Sequence, residues 1–414
     1  MQKGRKTRTD TSVGRKENAN MFEINGKYNI AKVFTDNIDN TTIAQIMNLL
    51  NQPFVTDSKI RIMPDCHAGA GCVIGTTMTI QDKVVPNLVG VDIGCGMLAV
   101  KLEETEIDLR QLDEVINRYV PSGFNVHDRE MFRSDADKIL APVNISLAFQ
   151  SLGTLGGGNH FIELNRDDTG ALWLVIHTGS RHLGLEVAHY YQELGYKNLK
   201  SDNTRHKIED LIVQLKAQGR EKEIQKLITA IKREEPAVPK DLCYVEGTAL
   251  ESYLHDIRYA QNHAKLNRKC IADIILDRMK LHEVDSIETI HNYIDVEHKI
   301  LRKGSVSAQL GERLIIPINM RDGSLLCTGK GNPDWNESAP HGAGRILSRG
   351  SAKEKINLKE FQDSMKGIYS TSVVESTIDE APMVYKPINE IVENIRDTVD
   401  VDMIIKPIYN FKAH

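Results

Sequence analysis

Six short segments carry the residue types that do chemistry, five of them beside glycine: PDCHAG at 64–69, DIGCG at 92–96, GGGNH at 156–160, HTGSR at 177–181, HNY at 291–293 and HGAGR at 341–345. Glycine next to a ligand lets the backbone turn tightly and lets phosphate approach the amides. Asp92 and Cys95 lie three apart around Gly94, so both can point at one ion from a single bend. Thiolate is a soft ligand, carboxylate a hard one and imidazole falls between. That mixture suits Mn, Fe, Co or Zn better than Mg or Ca. A thiolate also bridges two ions, which would let Asp92, Cys95, His160, His177 and His291 hold a pair. Each of these taken alone has a plainer reading, as a hydrogen-bonded structural histidine or a core cysteine.

His341 has a different setting: it follows proline, precedes Gly-Ala-Gly, and has Arg345 four residues on. Histidine in a glycine-rich phosphate loop serves as a general acid or as a nucleophile that attacks phosphorus to give a phosphoramidate. Arg345 could balance phosphate charge with a bidentate contact. The competing reading is a tight turn with an incidental histidine. Lys303-Gly304-Ser305 lacks the upstream glycine of a phosphate loop, which rejects that motif. The glycines at 156–158 lack the strand–helix setting of a dinucleotide fingerprint. The stretch 375–402, with eight acids against two bases, reads as a solvated face.

These groups need elements to position them. Residues 160–164 and 171–177 read as strands flanking Asp167-Asp168-Thr169-Gly170, a hairpin signal. If Arg166 pairs with Ala171, His160 faces His177, with Cβ atoms about 4.5–5.5 Å apart. A slip of one residue would break that register. A helix is expected over 108–120 and a longer one from 249 to about 280. Two short amphipathic helices are expected in 204–235, with stripes Ile208, Leu211, Ile212, Leu215 and Ile224, Leu227, Ile228, Ile231. Gly219 separates them and Pro236 ends the second. Short strands and glycine-rich loops follow Glu283, with a last strand or two at 401–411. The reading is α+β: one large mixed body at 21–414 with a deep cleft, a helical-hairpin insertion at about 198–240, and a mobile basic lead at 1–20.

The chain has 414 residues, 41% hydrophobic and 26% charged, with a formal net charge of -5. That balance is ordinary for a globular protein, and no run approaches the eighteen apolar residues of a membrane span. The first twenty residues hold six Lys/Arg and two acids but no apolar stretch follows, which argues against a secretory signal. The six cysteines at 66, 72, 95, 243, 270 and 327 form no CxxC pair, as in a reduced, cytoplasmic protein. Net charge speaks against nucleic acid. Yet residues 301–353 hold eight Lys/Arg and four acids, so a basic rim around His341 is expected.

PDCHAGAG, VGVDIGCGM, LGTLGGGNHFIE, HTGSR, AQNHAKLNR, HNY, RKGSVSA, HGAGR and DEAPMVYK occur here in the order seen in the RtcB family of RNA ligases, and the resemblance covers roughly residues 60–412. The resemblance implies a Mn- and GTP-dependent enzyme that joins an RNA 3′-phosphate or 2′,3′-cyclic phosphate to a 5′-hydroxyl, in RNA repair or tRNA splicing. A histidine is guanylylated, GMP passes to the RNA 3′-phosphate, and the 5′-hydroxyl attacks the activated end. It assigns the nucleophile to His341, its orientation to Asp65, and two Mn²⁺ to Asp92, Cys95, His160, His177 and His291 with Cys95 as bridge. Guanylate contacts carry over to Asn159, His160, Phe161, Ile162, Glu163, His291, Asn292, Pro317, Ile318, Asn319, Met320, Ser324, Gly342, Ala343, Gly344 and Lys412. The implied partners are broken RNA ends and GTP, with room for an activating protein and no membrane.

Two departures mark a divergent paralogue. The family commonly reads Pro-Gly-Ser-Met-Gly where this chain has Pro317-Ile318-Asn319-Met320-Arg321, and Ile318 cannot take glycine-only angles. Cys-Ser commonly precedes the nucleophile, where Ala339-Pro340 stands here, and Pro340 lacks an N–H. The rival readings are a metal-dependent RNA cyclic phosphodiesterase or phosphatase, which would need no GTP, and a damaged-RNA binding protein without turnover.

Overall fold

The segment Leu172–Thr178 is buried at every position, as a continuous apolar run becomes when a strand is covered on both faces. It forms the third strand of an antiparallel seven-stranded sheet. Its order is Glu283–Ile290, Gly96–Leu102, Leu172–Thr178, Phe161–Arg166, Val399–Lys412, Gly323–Gly329 and Arg313–Asn319. A second, six-stranded sheet runs Phe22–Asn25, Ile30–Val33, Ile60–His67, Ile74–Thr79, Ile300–Lys303 and Asn292–Asp295. The computed structural model describes residues 21–231 and 235–413. The basic lead expected at 1–20 lies outside the described residues. The architecture is one mixed α+β body, as expected. Among the described residues no helix is long and apolar enough to cross a membrane.

The chain passes from one sheet to the other through a single residue. Glu283–Ile290 is an edge of the seven-stranded sheet, Asn292–Asp295 is an edge of the six-stranded one, and His291 lies between. Its backbone N–H donates to Cys95 O at 2.8 Å and its carbonyl accepts from Ser305 N at 3.2 Å. The 33-residue helix Gly247–Met279 covers both sheets. Tyr253, Ile257 and Ala260 join a core with Ile62, Met78 and Leu301, while Ile271, Ile275 and Leu276 join another with Val100, Leu174 and Ile176.

Between these halves lie Asn267 and Arg268, both fully buried. Asn267 Oδ1 accepts from Gly153 N and Thr154 N, and its Nδ2 donates to Thr154 O and Gly179 O. Arg268 Nη1 donates to Gly94 O at 2.8 Å and Thr178 O at 2.9 Å, and Arg268 Nε and Nη2 reach Glu288. Two adjacent side chains thus tie together the loops that carry residues 92–95, 153–160 and 177–181.

The helix expected over 108–120 is Leu109–Tyr119, capped by Asp108, whose side chain accepts from Arg110 N and Gln111 N. The long helix starts at Gly247 rather than 249. The first of the two short helices expected in 204–235 is instead the end of a 37-residue helix, Arg181–Ala217. Its charged turns at 197–207 carry no apolar signal of their own, which hid the continuity. The second is Ile224–Ala230, beyond a turn at 218–220. The expected terminal strand is one 14-residue strand, Val399–Lys412.

Replacing Arg268 with Met should leave Gly94 O and Thr178 O buried and unmatched, at about 1–3 kcal/mol each. Denaturant titration should show the unfolding free energy falling by at least about 2 kcal/mol, and a change under about 0.5 kcal/mol would contradict the anchoring role.

Candidate metal centre

Five donors converge where the loops meet. Cys95 Sγ lies 3.4 Å from His160 Nε2 and 3.3 Å from His177 Nε2. Asp92 Oδ2 lies 2.9 Å from His160 Nε2, and His177 Nε2 lies 3.4 Å from His291 Nε2. They resolve into two sets, Asp92–Cys95–His160 and Cys95–His177–His291, each with its donor atoms within 4.8 Å of one another. The thiol belongs to both. Outer partners fix two rings: His160 Nδ1 faces Leu155 O at 2.9 Å and His177 Nδ1 faces Asn159 O at 3.2 Å. That directs each Nε2 inward, as second-sphere contacts do at metal sites. His291 Nδ1 is buried with no hydrogen-bond partner among the described residues.

The route to this geometry differs from the expected register. Phe161, not His160, faces His177, and Arg166 pairs with Leu172. Asp167 closes the hairpin by donating from its N–H to Ala171 O, so the loop holds three residues, Asp168-Thr169-Gly170, with Gly170 at φ +90°. Asp167 Oδ1 accepts from Thr169 N and Ala171 N, which fixes this shorter loop. His160 sits just before its strand and reaches the donors from the loop at 156–159. The ring centroids of His160 and His177 are still 5.3 Å apart. Gly179 is obligatory here, because a Cβ would lie 2.0 Å from Asp92 Oδ1.

Burial raises the Asp92 carboxyl, but the hydrogen bond and charge of His160 outweigh it and hold Asp92 below its ordinary range. Burial and the Asp92 charge push the Cys95 thiol well above its usual value. Burial and neighbouring histidines hold His177 and His291 well below theirs. The His177 and His291 imidazoles are therefore neutral ligands, and the thiol needs a cation to release its proton. A soft thiolate among imidazoles and a carboxylate fits a transition metal.

His341 adjoins this cluster, its ring 4.9 Å from that of His291. Fully buried Asp65 holds it: Asp65 Oδ2 lies 2.7 Å from His341 Nδ1 and accepts from His341 N and Gly342 N, each at 3.1 Å. The strand that carries Asp65 is braced by Lys386, whose Nζ donates to Pro64 O at 2.9 Å. A cavity of about 1320 Å³ opens in front, lined by His341, Asp92, Cys95, His177, His291 and Lys412 among others.

Most of the expected contact residues line that cavity: Asn159, Phe161, Glu163, Asn292, Pro317, Ile318, Asn319, Met320, Gly342, Ala343 and Gly344. Two do not. The Ile162 side chain packs into the core with Leu164 and Leu174, and Ser324 is buried opposite Pro317 with its Oγ unpartnered among the described residues. Arg345 lines the cavity, but its guanidinium is engaged by its own chain, donating to Leu347 O, Asp379 O and Glu380. Its donors hold the loop rather than standing free for phosphate.

Glu380 was not legible in the sequence, where 375–402 read as a solvated face. Asp379 and Glu380 are buried where they meet cations from the basic stretch, Arg349 and Lys353 on Asp379 and Arg345 and Arg349 on Glu380, with Lys412 of the terminal strand also on Glu380. Lys330 likewise meets Asp400. Four of the eight basic residues of 301–353 thus pair with the acidic run. Despite burial, Lys412 and Arg349 hold the Glu380 carboxyl down at about 2. Lys303, set aside in the sequence, is a wall residue of the cavity, its Nζ donating to Asn87 O.

Both departures are accommodated. Ile318 is buried and does not appear among the positive-φ residues. Asn319 Oδ1 accepts from Arg321 N and Asp322 N, closing the turn that glycine would otherwise make. Pro340 ends a short ladder opposite Ser305, whose N–H goes to His291 O.

The family model described as tRNA-splicing ligase RtcB matches residues 45–148 and 143–413. The chain belongs to the RtcB family. It is 29% identical over 423 aligned residues to an RNA-splicing ligase RtcB of Escherichia coli K12, covering 89% of this chain and 93% of the relative. It is 25% identical to tRNA-splicing ligases RtcB of Aeropyrum pernix, covering 80% of this chain and 83% of the relative, and of Pyrobaculum aerophilum, covering 80% and 82%. The donor cluster and His341 both lie inside the matched RtcB segments.

Two outcomes follow from this geometry. Co²⁺ added to the purified protein should give a thiolate-to-metal charge-transfer band that Cys95→Ala abolishes; an unchanged band would remove the thiol from the site. Burial pushes the Glu163 carboxyl up from 4.5 to about 7. The folded chain then holds a proton that the unfolded chain has lost. Stability of the ligand-free protein should fall as pH rises from about 4.5 to about 7, then level off, by on the order of 3 kcal/mol. Urea titrations of wild type and Glu163→Gln should differ in this window, the variant lacking the slope.

Proposed function

We propose that this chain is a GTP- and Mn²⁺-dependent RNA ligase joining 3′-phosphate or 2′,3′-cyclic phosphate ends to 5′-hydroxyl ends. The RNA- and tRNA-splicing ligase names of its relatives support the RNA-joining class. The single observation that carries the finer reading is the pairing of His341 Nδ1 with Asp65 at 2.7 Å beside the donor cluster.

Asp65 accepts the Nδ1 proton and two backbone N–H bonds, which leaves His341 Nε2 as the unprotonated nitrogen with its ring fixed in place. That nitrogen bonds to the α-phosphorus of GTP as the bond to the β-phosphate oxygen breaks and pyrophosphate departs. Asp65 stabilises the positive charge that the ring gains. An oxygen of the RNA 3′-phosphate, which for a cyclic end is first freed by water, then attacks the guanylyl phosphorus as its bond to His341 Nε2 breaks; the 5′-hydroxyl attacks the 3′-phosphate phosphorus, gives up its proton, and GMP departs. Two cations held by the Asp92–Cys95–His160 and Cys95–His177–His291 sets would supply Lewis acidity to the phosphate oxygens. Lys412, held at 3.0 Å by Glu380, and Glu163 face the cavity where the nucleotide would lie. We take the cavity as the active-site cleft, and the unpaired thiols suit a reducing compartment such as the cytoplasm.

Incubation with Mn²⁺ and GTP labelled at the α-phosphate should leave an acid-labile label on the protein. His341→Ala should abolish it, and Asp65→Asn should slow its formation by at least about 100-fold. An unlabelled wild type would overturn the reading; a labelled His341→Ala would overturn the nucleophile.

A further inference from the structure

Asp65 orients a second imidazole besides that of His341. Its carboxylate takes His341 Nδ1, and its main-chain carbonyl lies 3.0 Å from His67 Nδ1. A carbonyl oxygen only accepts, so His67 Nδ1 carries the ring proton and Nε2 keeps its lone pair. His67 is a half-buried residue of the cavity wall. Its Nε2 has no hydrogen-bond partner among the described residues and is not one of their enclosed polar atoms. One residue thus sets two histidines on the same cavity, each with Nδ1 tied and Nε2 unprotonated.

The place of His67 is fixed on every side. It ends the strand Ile60–His67 and sits opposite Ile74, the first residue of Ile74–Thr79. Ile74 and the His341 ring meet the same glycine: a Cβ on Gly304 would lie 2.4 Å from Ile74 Cγ2 and 3.1 Å from His341 Cε1. Beyond His67, Gln45 clamps Gly69, donating to its carbonyl at 2.8 Å and accepting from its N–H at 3.2 Å. Burial holds the His67 ring below its usual value. The charges of His341 and Arg345 act in the same direction, and the carbonyl and charge of Asp65 oppose them. Near neutral pH the ring is a free base.

Two nucleophiles of the proposed reaction bring no proton, the His341 nitrogen and the oxygen of the 3′-phosphate. The 5′-hydroxyl does bring one, and it attacks in every cycle, whereas water attacks only when the RNA end is cyclic. We propose that His67 is the general base of the sealing step. Its Nε2 takes the 5′-hydroxyl proton as that oxygen bonds to the 3′-phosphate phosphorus and the bond from phosphorus to the GMP oxygen breaks. The imidazolium then gives the proton to water. This rests on the RNA-ligase reading above and supplies the proton acceptor that it lacks.

His67→Asn keeps a donor at the Nδ1 position and removes the base. RNA that already carries GMP on its 3′-phosphate isolates sealing from the earlier steps. With saturating Mn²⁺ at about pH 7, the variant should seal this RNA about 100-fold more slowly than wild type, with labelling of His341 by GTP unchanged. The deficit should shrink about tenfold per pH unit above that, as hydroxide takes over from the missing base. A deficit that stays constant with pH would overturn the base and leave His67 a packing residue. An equal loss of GTP labelling would overturn it too, by making His67 a support of His341. So would normal sealing by the variant, including the case where only the opening of cyclic ends is slowed. A wild type that takes the GTP label yet seals no such RNA would overturn the ligase reading and the base with it.

Discussion

The site depends on two consecutive side chains in the buried middle of one helix. Asn267 and Arg268 hold the backbones of Gly94, Gly153, Thr154, Thr178 and Gly179, which adjoin Cys95 and His177 and open the loop that leads to His160. Loops of this kind are the parts of a protein with the least local stability. Here their carbonyls and amides are satisfied by one rigid element, so their donors are placed by the core rather than by the loops. His291 is fixed differently, as the hinge residue between the two sheets, with its N–H on Cys95 O. Sheet, helix and loop therefore agree on one point, the Cys95 sulfur.

That point is costly without a cation. Three imidazoles, a carboxylate and a thiol crowd within a few ångströms, and His291 Nδ1 is buried without a partner among the described residues. Buried polar groups without partners destabilise a fold. The protein holds this arrangement because its two cores and the long helix fix the backbone independently of the site. A cation relieves the crowding and lowers the thiol's proton affinity, which links metal binding to the chemistry expected of His341. In the neighbouring Asp65–His341 pair, Asp65 Oδ2 takes three hydrogen bonds and aims the ring, while Asp65 Oδ1 is buried without a partner among the described residues.

The ligand set was legible in the sequence because chemistry-bearing residues lay beside glycines, and residue type alone sorted them into one group. His341 was legible from its glycine-rich loop as an acid or a nucleophile, and the resemblance chose between these and added Asp65. The hairpin was legible as an element but not in register, since Asp167 shortens the loop through side-chain contacts that periodicity does not carry. The long helix at 181–217 was read as a short one because its middle lacks an apolar stripe. The burial of Glu380 and its pairing with the basic stretch were hidden for a further reason. Residues 301–353 and 375–402 look like separate charged runs in one dimension, and only the fold brings Arg349 to Asp379.

The central claim is that Cys95 is shared by two cations beside His341. Anomalous diffraction from crystals grown with Mn²⁺ tests it directly. The account predicts two peaks, one among Asp92, Cys95 and His160 and the other among Cys95, His177 and His291, both in contact with the Cys95 sulfur. A single peak, or a pair that leaves Cys95 uncoordinated, would contradict it.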